Sequence, residues 1–198
     1  MQTAPGASLI DAAPPAPTRA RLLTLLAGVT LLVYAADQVT KVLATDRLRP
    51  GVPVEVVGTL LQLRLIRNPG AAFSLATGMT WLLTLVAVGV VVVVLRSARR
   101  IGSPGWALAL GLLLGGALGN LTDRLVRAPG FARGHVVDFI DYNGWFVGNV
   151  ADIAIVVATV VVGLLSMRGI GLDGSRTGGP TESHSGTHRD DDGRHAGE

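Results

Sequence analysis

The chain has 198 residues, of which 49% are hydrophobic and 16% are charged, and its formal net charge is +3. Soluble globular domains carry about 25% charged residues, so this composition, with a mean hydropathy of +0.48, indicates a membrane protein. The absence of cysteine excludes disulfides, thiolate nucleophiles and cysteine-ligated zinc. Aromatic residues make up only 5%, too few for a surface that stacks nucleic-acid bases, and we expect no nucleic-acid partner.

Both ends of the chain have the composition of disordered segments. Residues 1–20 are rich in alanine and proline without apolar periodicity, and residues 169–198 are rich in glycine, serine and charge. The second segment also holds histidines and an acidic run, at His184, His188, His195 and Asp190 to Asp192. A metal site there is the less favoured interpretation, because nothing fixes the geometry of these side chains. We predict two disordered cytoplasmic tails around a membrane domain at 21–168.

Four apolar stretches lie between the tails, each close to the roughly 17–25 residues that span a bilayer as a helix. They cover about residues 21–43, 79–96, 105–125 and 149–168. Backbone groups in lipid must be hydrogen-bonded within their own segment, so we predict helices even where valine is abundant. The first stretch could instead be a cleaved signal peptide, because Arg19 and Arg21 precede its apolar core. Its length, and the charged residues Asp37 and Lys41 near its end, favour a membrane-spanning helix.

Arginine-rich loops indicate the orientation of the spans. The loop between the second and third stretches holds Arg96, Arg99 and Arg100, which predicts that this loop and both termini are cytoplasmic. Alternation in PVEVVGTLLQLRLIRN predicts short strands at the outer surface. The segment 126–148 is expected to be a loop with a short surface piece near VVDFIDY. The expected fold is an all-α membrane protein with four transmembrane helices, a small extracytoplasmic β-rich loop and a second outer loop.

Polar and charged side chains from four separate regions reach one level of the predicted bundle, just inside its outer interface. They are Asp37 and Lys41 on the first helix, Asn120, Asp123 and Arg124 on the third, Asp138 in the outer segment, and Asn149 and Asp152 at the start of the fourth. A charge in hydrocarbon is costly unless it is paired or faces water. Any one of these residues could be a helix cap or an interfacial ion pair, but their convergence favours a functional site.

Paired carboxylates supply a specific chemistry. Two of them held close together cannot both ionise cheaply, so the pair can keep one proton near neutral pH. The ionised partner then takes a proton from water while the protonated partner polarises a scissile carbonyl. The spacing of His135, Asp138 and Asp141 is weak evidence for a metal site, and we expect no metal or other cofactor. These considerations alone do not choose between Asp123, Asp138 and Asp152.

Five sequence blocks carry a resemblance to a known family. They are DQVTK with Asp37 and Lys41, RNPGAAFSL with Asn68, Gly70, Ala72 and Phe73, GGALGNLTDR with Gly116, Asn120, Asp123 and Arg124, VVDF with Asp138, and NVADIAI with Asn149, Ala151 and Asp152. In this order they resemble the lipoprotein signal peptidases, or signal peptidase II, over about residues 22–167. The resemblance implies a four-helix aspartyl peptidase of the bacterial inner membrane, with cytoplasmic termini and its active site near the outer leaflet. It also implies diacylglyceryl-modified prolipoproteins as substrates, cut before the lipidated cysteine.

The resemblance further implies roles for the residues in these blocks. The catalytic pair carries over to Asp138 and Asp152, with Asp123 in a supporting role. Asn68 and Asn149 are expected to hydrogen-bond either the extended substrate backbone or a catalytic aspartate.

The remaining residues of the blocks have structural hypotheses. Arg124 either pairs with Asp123 or holds the loop before the first catalytic aspartate, while Asp37 and Lys41 brace the outer end of the first helix. Gly70 and Gly116 allow another part of the backbone to approach closely, because they have no side chain. For Gly116, helix packing by small residues is an equal alternative.

Two further points concern the aromatic residues. Phe73 is expected to anchor the chain in the membrane or core. The family usually has phenylalanine directly before the asparagine of the last block, whereas here Gly148 precedes Asn149 and Phe146 lies two residues earlier.

A small proton-coupled membrane transporter is the alternative function, because intramembrane acids can relay protons. Transporters usually place such acids near the midplane and often have repeated halves, whereas here the acids lie at one end and no repeat is evident. A non-catalytic scaffold is a third interpretation. We therefore predict a monomeric peptidase whose partners are prolipoprotein substrates and membrane lipids.

Overall fold

The structure is a computed structural model that describes residues 17–70 and 80–176. Most of the two predicted tails lies outside the described residues, as do Ala72 and Phe73. Within the described part, four helices are long and apolar enough to cross a membrane, as predicted. They are α1 (Arg19–Arg47), α2 (Thr80–Ala98), α3 (Pro104–Val126) and α4 (Val150–Met167).

The helix ends follow local sequence signals. Pro104 lies in the first turn of α3, where its missing N–H would have had no helical partner. Asn149 caps α4 in a capping box with Asp152. Helix α1 has 29 residues and ends at Arg47, beyond the predicted end at about residue 43. At 1.5 Å per residue it is about 43 Å long, so it extends past a hydrocarbon layer of about 30 Å.

The four-stranded antiparallel sheet has the order β1-β2-β3-β4. Its strands are β1 (Val54–Val57), β2 (Leu61–Asn68), β3 (Val136–Tyr142) and β4 (Phe146–Gly148). The first two strands follow α1 and the last two precede α4, so the sheet lies at the end of the bundle where these helices meet. We call this the sheet end.

The structure corrects the prediction for VVDFIDY. That segment was expected to be a short surface piece in a loop, but it forms an inner strand whose residues 136–139 are buried. Val137 and Phe139 pack with Leu65 of β2 and Ala44 of α1 in a small hydrophobic cluster. The strand is therefore buried because it connects the sheet to the helices.

Helix α3 is the centre of the bundle and packs against the other three helices. A Cβ atom built on Gly115 would lie 2.8 Å from the carbonyl oxygen of Thr30 on α1. One built on Gly116 would lie 2.6 Å from the carbonyl oxygen of Ala151 on α4. The glycines of GGALG thus let two neighbouring helices approach the α3 backbone closely, as small residues do in membrane bundles. The outer faces of α2 and α4 expose mainly leucine and valine, as expected of lipid-facing surfaces.

The segment after α4 is described as far as residue 176. Residues 169–176 form a turn that packs against the connection between α2 and α3. Gly102 donates its N–H to the carbonyl of Leu172 at 2.9 Å, and Trp106 Nε1 donates to the carbonyl of Ile170 at 2.9 Å. Disorder was predicted from residue 169, and residues 177–198 of that tail lie outside the described range.

Candidate active site

A continuous cluster of polar side chains lies at the sheet end and connects three helices with the sheet. It includes most of the residues that the sequence singled out, namely Asp37 and Lys41 (α1), Asn68 (β2), Asn120 and Asp123 (α3), Asp138 (β3), and Asn149 and Asp152 at the start of α4. The predicted convergence at one level of the bundle is therefore present in the structure.

Asp138 is held by two amide donors. Asn68 Nδ2 donates to its Oδ2 at 2.8 Å, and Asn149 Nδ2 donates to its Oδ1 at 2.7 Å. The side chain is 2% exposed. Burial, with a smaller contribution from the charge of Asp152, raises the pKa of Asp138 to about 6, against the lowering effect of the two amides and of Lys41. Asp138 is thus a carboxyl group that can carry a proton close to neutral pH.

Asp152 occupies the first turn of α4 and is partly exposed. Its Oδ1 accepts from Asn120 Nδ2 at 2.9 Å, and its Oδ2 accepts from the backbone N–H of Asn149 at 3.1 Å. The N-terminus of a helix favours a negative charge at this position. The carboxylate is therefore fixed by α3 and by the cap of its own helix.

Asn149 connects the two carboxylates. It is 1% exposed, its side-chain amide donates to Asp138, and its backbone N–H donates to Asp152. Its Oδ1 in turn accepts the backbone N–H of Asp152 at 3.1 Å, so its side chain cannot rotate without breaking the cap. The two carboxylates therefore lie on either side of one rigid buried residue. Asn68 and Asn149 were expected to hydrogen-bond either the substrate backbone or a catalytic aspartate. In the structure the side-chain amides of both residues donate to Asp138.

Lys41 is the central cation of the supporting cluster and is fully buried. Its Nζ lies 2.8 Å from Asp37 Oδ2, 2.9 Å from Asp123 Oδ2 and 2.9 Å from Asn120 Oδ1. Buried charges persist only when they are paired in this way. The predicted bracing by Asp37 and Lys41 therefore extends across the bundle to α3.

The two acids bound by Lys41 also hold the backbone next to Asp138 and Asp152. Asp37 Oδ1 accepts the N–H of Ala151 in the first turn of α4 at 3.1 Å. Asp123 Oδ2 accepts the N–H of Val137, the neighbour of Asp138 in β3, at 3.1 Å. One buried ion cluster thus fixes the positions of both α4 and β3 relative to α1 and α3.

Two alternative roles were proposed for Arg124, and in the structure Arg127 has one of them and Arg124 the other. Arg127 makes the ion pair with Asp123. No role was predicted for Arg127 from the sequence, although its spacing of four residues from that acid was an available signal. Arg124 holds the loop before Asp138, because its carbonyl accepts the N–H of Gly134 at 2.9 Å. Its guanidinium is buried near the aspartates, and Nη1 has no hydrogen-bond partner among the described residues.

The two predicted glycines have different local environments. Gly70 has φ +120°, a conformation that favours glycine, and its N–H donates to Asn68 Oδ1 at 2.7 Å. This contact directs the Asn68 amide nitrogen towards Asp138. Gly116 instead packs against α4, which is the helix-packing alternative.

A cavity of about 400 Å³ lies beside Asp152. Its lining consists of Tyr142, Phe146, Asn149, Asp152, Ile153, Val156 and Val157. A mainly apolar pocket with few convergent polar groups is the usual form of a small-molecule or peptide site. The aromatic wall of this cavity was not predicted from the sequence. The Asn-Gly pair in DYNGWF is a signal for a two-residue hairpin turn, which would place Tyr142 opposite Trp145, whereas in the structure Tyr142 pairs with Phe146.

The described residues contain no group of three or more histidine, cysteine, aspartate and glutamate side chains that could hold a metal ion. Asp141 accepts the N–H of Gly144 at 2.7 Å and lies 3.4 Å from Arg64 Nη1. It therefore fixes the β3–β4 turn and does not join His135 and Asp138.

Comparison with known proteins identifies relatives over most of the chain. The family model described as signal peptidase (SPase) II matches residues 29–168. A lipoprotein signal peptidase of Rhodococcus jostii is 56% identical over 169 residues, which are 84% of each chain. One from Mycobacterium tuberculosis is 51% identical over 160 residues, covering 81% of this chain and 79% of the relative.

Two solved structures of a bacterial membrane enzyme have a similar fold. One, at 1.9 Å resolution, has a TM-score of 0.63 and 25% identity, covering 71% of this chain and 90% of the other. The second, at 2.3 Å resolution, has a TM-score of 0.62 and 26% identity, covering 70% of this chain and 85% of the other.

Proposed function

The chain belongs to the signal peptidase II family and is a peptidase, and we propose that Asp138 and Asp152 are its catalytic pair. The single observation that carries this assignment is Asn149, which holds both carboxylates at once. Among the three acids left open by spacing, Asp123 is instead engaged by Lys41 and Arg127. Both of its carboxylate oxygens are thus engaged by cations, so Asp123 is assigned to the supporting cluster.

The proposed reaction is hydrolysis of one peptide bond by a water molecule bound between the two carboxyl groups. The ionised member of the pair removes a proton from this water, which attacks the scissile carbonyl carbon. The protonated member donates its proton to the carbonyl oxygen, which gives a tetrahedral intermediate with two hydroxyl groups. The carboxyl group that took the proton from water then gives it to the leaving nitrogen as the C–N bond breaks. Its partner takes a proton from one hydroxyl group, so the pair again holds one proton. The raised pKa of Asp138 supports a shared proton at neutral pH.

The proposed substrates are diacylglyceryl-modified prolipoproteins of the bacterial inner membrane, cut before the lipidated cysteine. This follows from the family and from the position of the site. Arg96, Arg99 and Arg100 lie at the bundle end opposite the sheet, and the positive-inside rule places such a cluster in the cytoplasm. We therefore infer cytoplasmic termini, including the tails, and an extracytoplasmic sheet end near the outer leaflet. All residues of the proposed site come from one chain, which is consistent with a monomeric enzyme.

The decisive experiment substitutes each catalytic acid by its amide. Purified Asp138→Asn and Asp152→Asn proteins are incubated in detergent or liposomes with a synthetic diacylglyceryl prolipopeptide, and cleavage is followed by mass spectrometry. Each substitution is expected to lower the rate by at least about 10³-fold, because neither proton transfer can then be completed. Asp46→Asn is the matched control, because Asp46 is exposed near the end of α1.

Retained folding is checked by circular dichroism and thermal unfolding. Cleavage at near wild-type rate by either variant would exclude that residue from the catalytic pair. Processing of the same peptide without its diacylglyceryl group at an equal rate would instead contradict the proposed substrate class.

A further inference from the structure

We propose that Phe146 and Gly148 form an interlocking pair that builds an acyl-chain site beside Asp152. This inference rests on the proposed function, since the ligand is an acyl chain of the diacylglyceryl substrate. It concerns the apolar walls of the cavity, which no step of the hydrolysis uses.

The ring of Phe146 occupies the space above Gly148. A Cβ atom added at Gly148 would lie 2.6 Å from Phe146 Cε1, 3.1 Å from its Cζ and 3.0 Å from Asp152 Oδ2. Real Cβ atoms essentially never show a contact below 3.0 Å. The position directly before Asn149 therefore has to be glycine if the ring is to lie next to the Asp152 carboxylate.

The ring is held in this place by a short, rigid hairpin. Tyr142 pairs with Phe146 across β3 and β4, and their rings are stacked with centroids 6.1 Å apart. The turn between them is fixed by Asp141, whose carboxylate is 1% exposed and accepts the N–H of Gly144. The stacked rings of Tyr142 and Phe146, which are 37% and 49% exposed, thus form one wall of the cavity.

The opposite wall of the cavity belongs to α4. Ile153, Val156 and Val157 lie on one face of this helix and are 42%, 62% and 44% exposed. In a membrane-spanning helix such a face contacts hydrocarbon, so the cavity is open towards the bilayer at one end and reaches Asp152 at the other. From Ile153 to Val157 it follows α4 for about 6 Å.

These two ends determine the ligand. The group must be apolar, must extend into the bilayer and must be attached close to the scissile bond. An acyl chain on the residue next to that bond satisfies all three conditions. The hydrophobic stretch of the signal peptide is the other apolar part of the substrate, and the experiment below separates the two.

The first test is a double-mutant cycle on cleavage of the diacylglyceryl prolipopeptide. Phe146→Ala is expected to raise KM about tenfold with little change in kcat, because it removes apolar contact with the bound substrate. Gly148→Ala is expected to raise KM by a similar factor, since its methyl group pushes the ring into the cavity. In the double variant the second substitution is expected to add little, because the ring that it displaces is absent.

The controls use the same hairpin. Trp145→Ala removes an aromatic side chain that is 90% exposed and does not line the cavity, so KM is expected to stay unchanged. Phe146→Tyr keeps the ring and is expected to retain the wild-type KM. Strictly multiplicative effects of the two single substitutions, or an unaffected Gly148→Ala enzyme, would overturn the interlocking pair.

The second test varies the ligand. Wild-type enzyme is expected to prefer a dioctanoyl over a diacetyl peptide of the same sequence, because only the longer chain can fill the cavity, and Phe146→Ala is expected to reduce this preference. A preference that persists unchanged in the variant, while sensitivity to the apolar length of the signal peptide is lost, would overturn the acyl-chain assignment. If wild-type enzyme and the Trp145→Ala variant do not cleave the peptide at all, the proposed function fails and not the pairing.

Discussion

Removing the buried cation of the supporting cluster tests whether Lys41 holds the bundle together at the sheet end. The substitution Lys41→Met keeps the length of the side chain but removes the charge and three hydrogen-bonded contacts, to Asp37, Asp123 and Asn120. Because all of these contacts join α1 to itself or to α3, the expected result is a loss of stability of the whole helical bundle.

The magnitude follows from what the acids retain. Breaking a buried ion pair costs about 3–5 kcal/mol, because a charge is left without compensation. Asp123 still contacts Arg127 and the N–H of Val137, whereas Asp37 keeps only neutral donors, the N–H of Ala151 and the amide of Gln38. One acid and not two is therefore left uncompensated, which places the expected loss near the lower limit, at about 3 kcal/mol.

The uncompensated charge of Asp37 leads to a second, sharper prediction. If this charge is the main cost, the double variant Lys41→Met with Asp37→Asn is expected to be more stable than Lys41→Met alone. The asparagine can still accept the N–H of Ala151 through its carbonyl oxygen, so the contact that fixes α4 is retained. A recovery of about 1 kcal/mol or more is expected.

The assay is reversible unfolding by SDS in mixed micelles, followed by circular dichroism at the helical minimum. Arg49→Met is the matched control, because Arg49 is exposed just after α1 and is expected to change the free energy of unfolding by less than about 0.5 kcal/mol. A loss below about 1 kcal/mol for Lys41→Met, or a double variant no more stable than the single one, would refute the reasoning.

Two further predictions concern the catalytic pair. Asn149→Ser keeps an oxygen that can cap α4 but removes the amide that donates to Asp138; cleavage is expected to fall at least about 10²-fold with stability lowered by less than about 1 kcal/mol, and an active variant or an unfolded one would contradict this. The pKa of Asp138, raised by burial from 3.8 to about 6, predicts that cleavage falls below about pH 6 as both carboxyl groups become protonated. Because the pKa of Asp138 is higher in the folded than in the unfolded protein, its contribution to stability is highest below about pH 4 and falls as the pH rises through 6. The Asp138→Asn variant is expected to lose this pH dependence. If the variant and the wild-type protein show the same pH profile of unfolding, the pKa of Asp138 is not perturbed.

The helices and the level of the site were predictable because both depend on local sequence. Apolar runs of bilayer length determine α1 to α4. Two crossings, by α2 and α3, bring the end of α3 to the same side as the end of α1, and α4 starts on that side. The β3 strand was not predictable, because its burial depends on packing against Leu65 and Ala44, which lie far away in sequence. VVDFIDY has the β-branched and aromatic residues typical of strands, but nothing in it distinguishes an inner strand from an edge strand.

The contacts between residues of the site could also not be predicted from the sequence. The spacing of Asp37 and Lys41 predicts contact with each other, and the structure shows this contact. Nothing in that spacing indicates that Lys41 also reaches Asp123, or that Asp37 accepts the N–H of Ala151. Such contacts depend on the rotation of α1 against α3 and α4, which is set by the glycines on the α3 surface and not by any periodicity in α1.

The distribution of donors around the four acids explains how one cluster can support two kinds of carboxyl group. Asp37 contacts Lys41, and Asp123 contacts both Lys41 and Arg127, and these ion pairs fix the supporting acids in position. Asp138 and Asp152 receive hydrogen bonds from asparagine side chains and from one backbone N–H, and among the described residues no salt bridge reaches either of them.

Amide donors orient a carboxyl group while opposing its protonation less strongly than a directly bound cation would. A lysine in place of Asn149 would hold both acids ionised and would remove the shared proton on which hydrolysis depends. The neutral asparagines are therefore as much a requirement of the proposed chemistry as the two acids. This explains why Lys41 forms its ion pairs with Asp37 and Asp123, the acids that fix the backbone of α4 and β3.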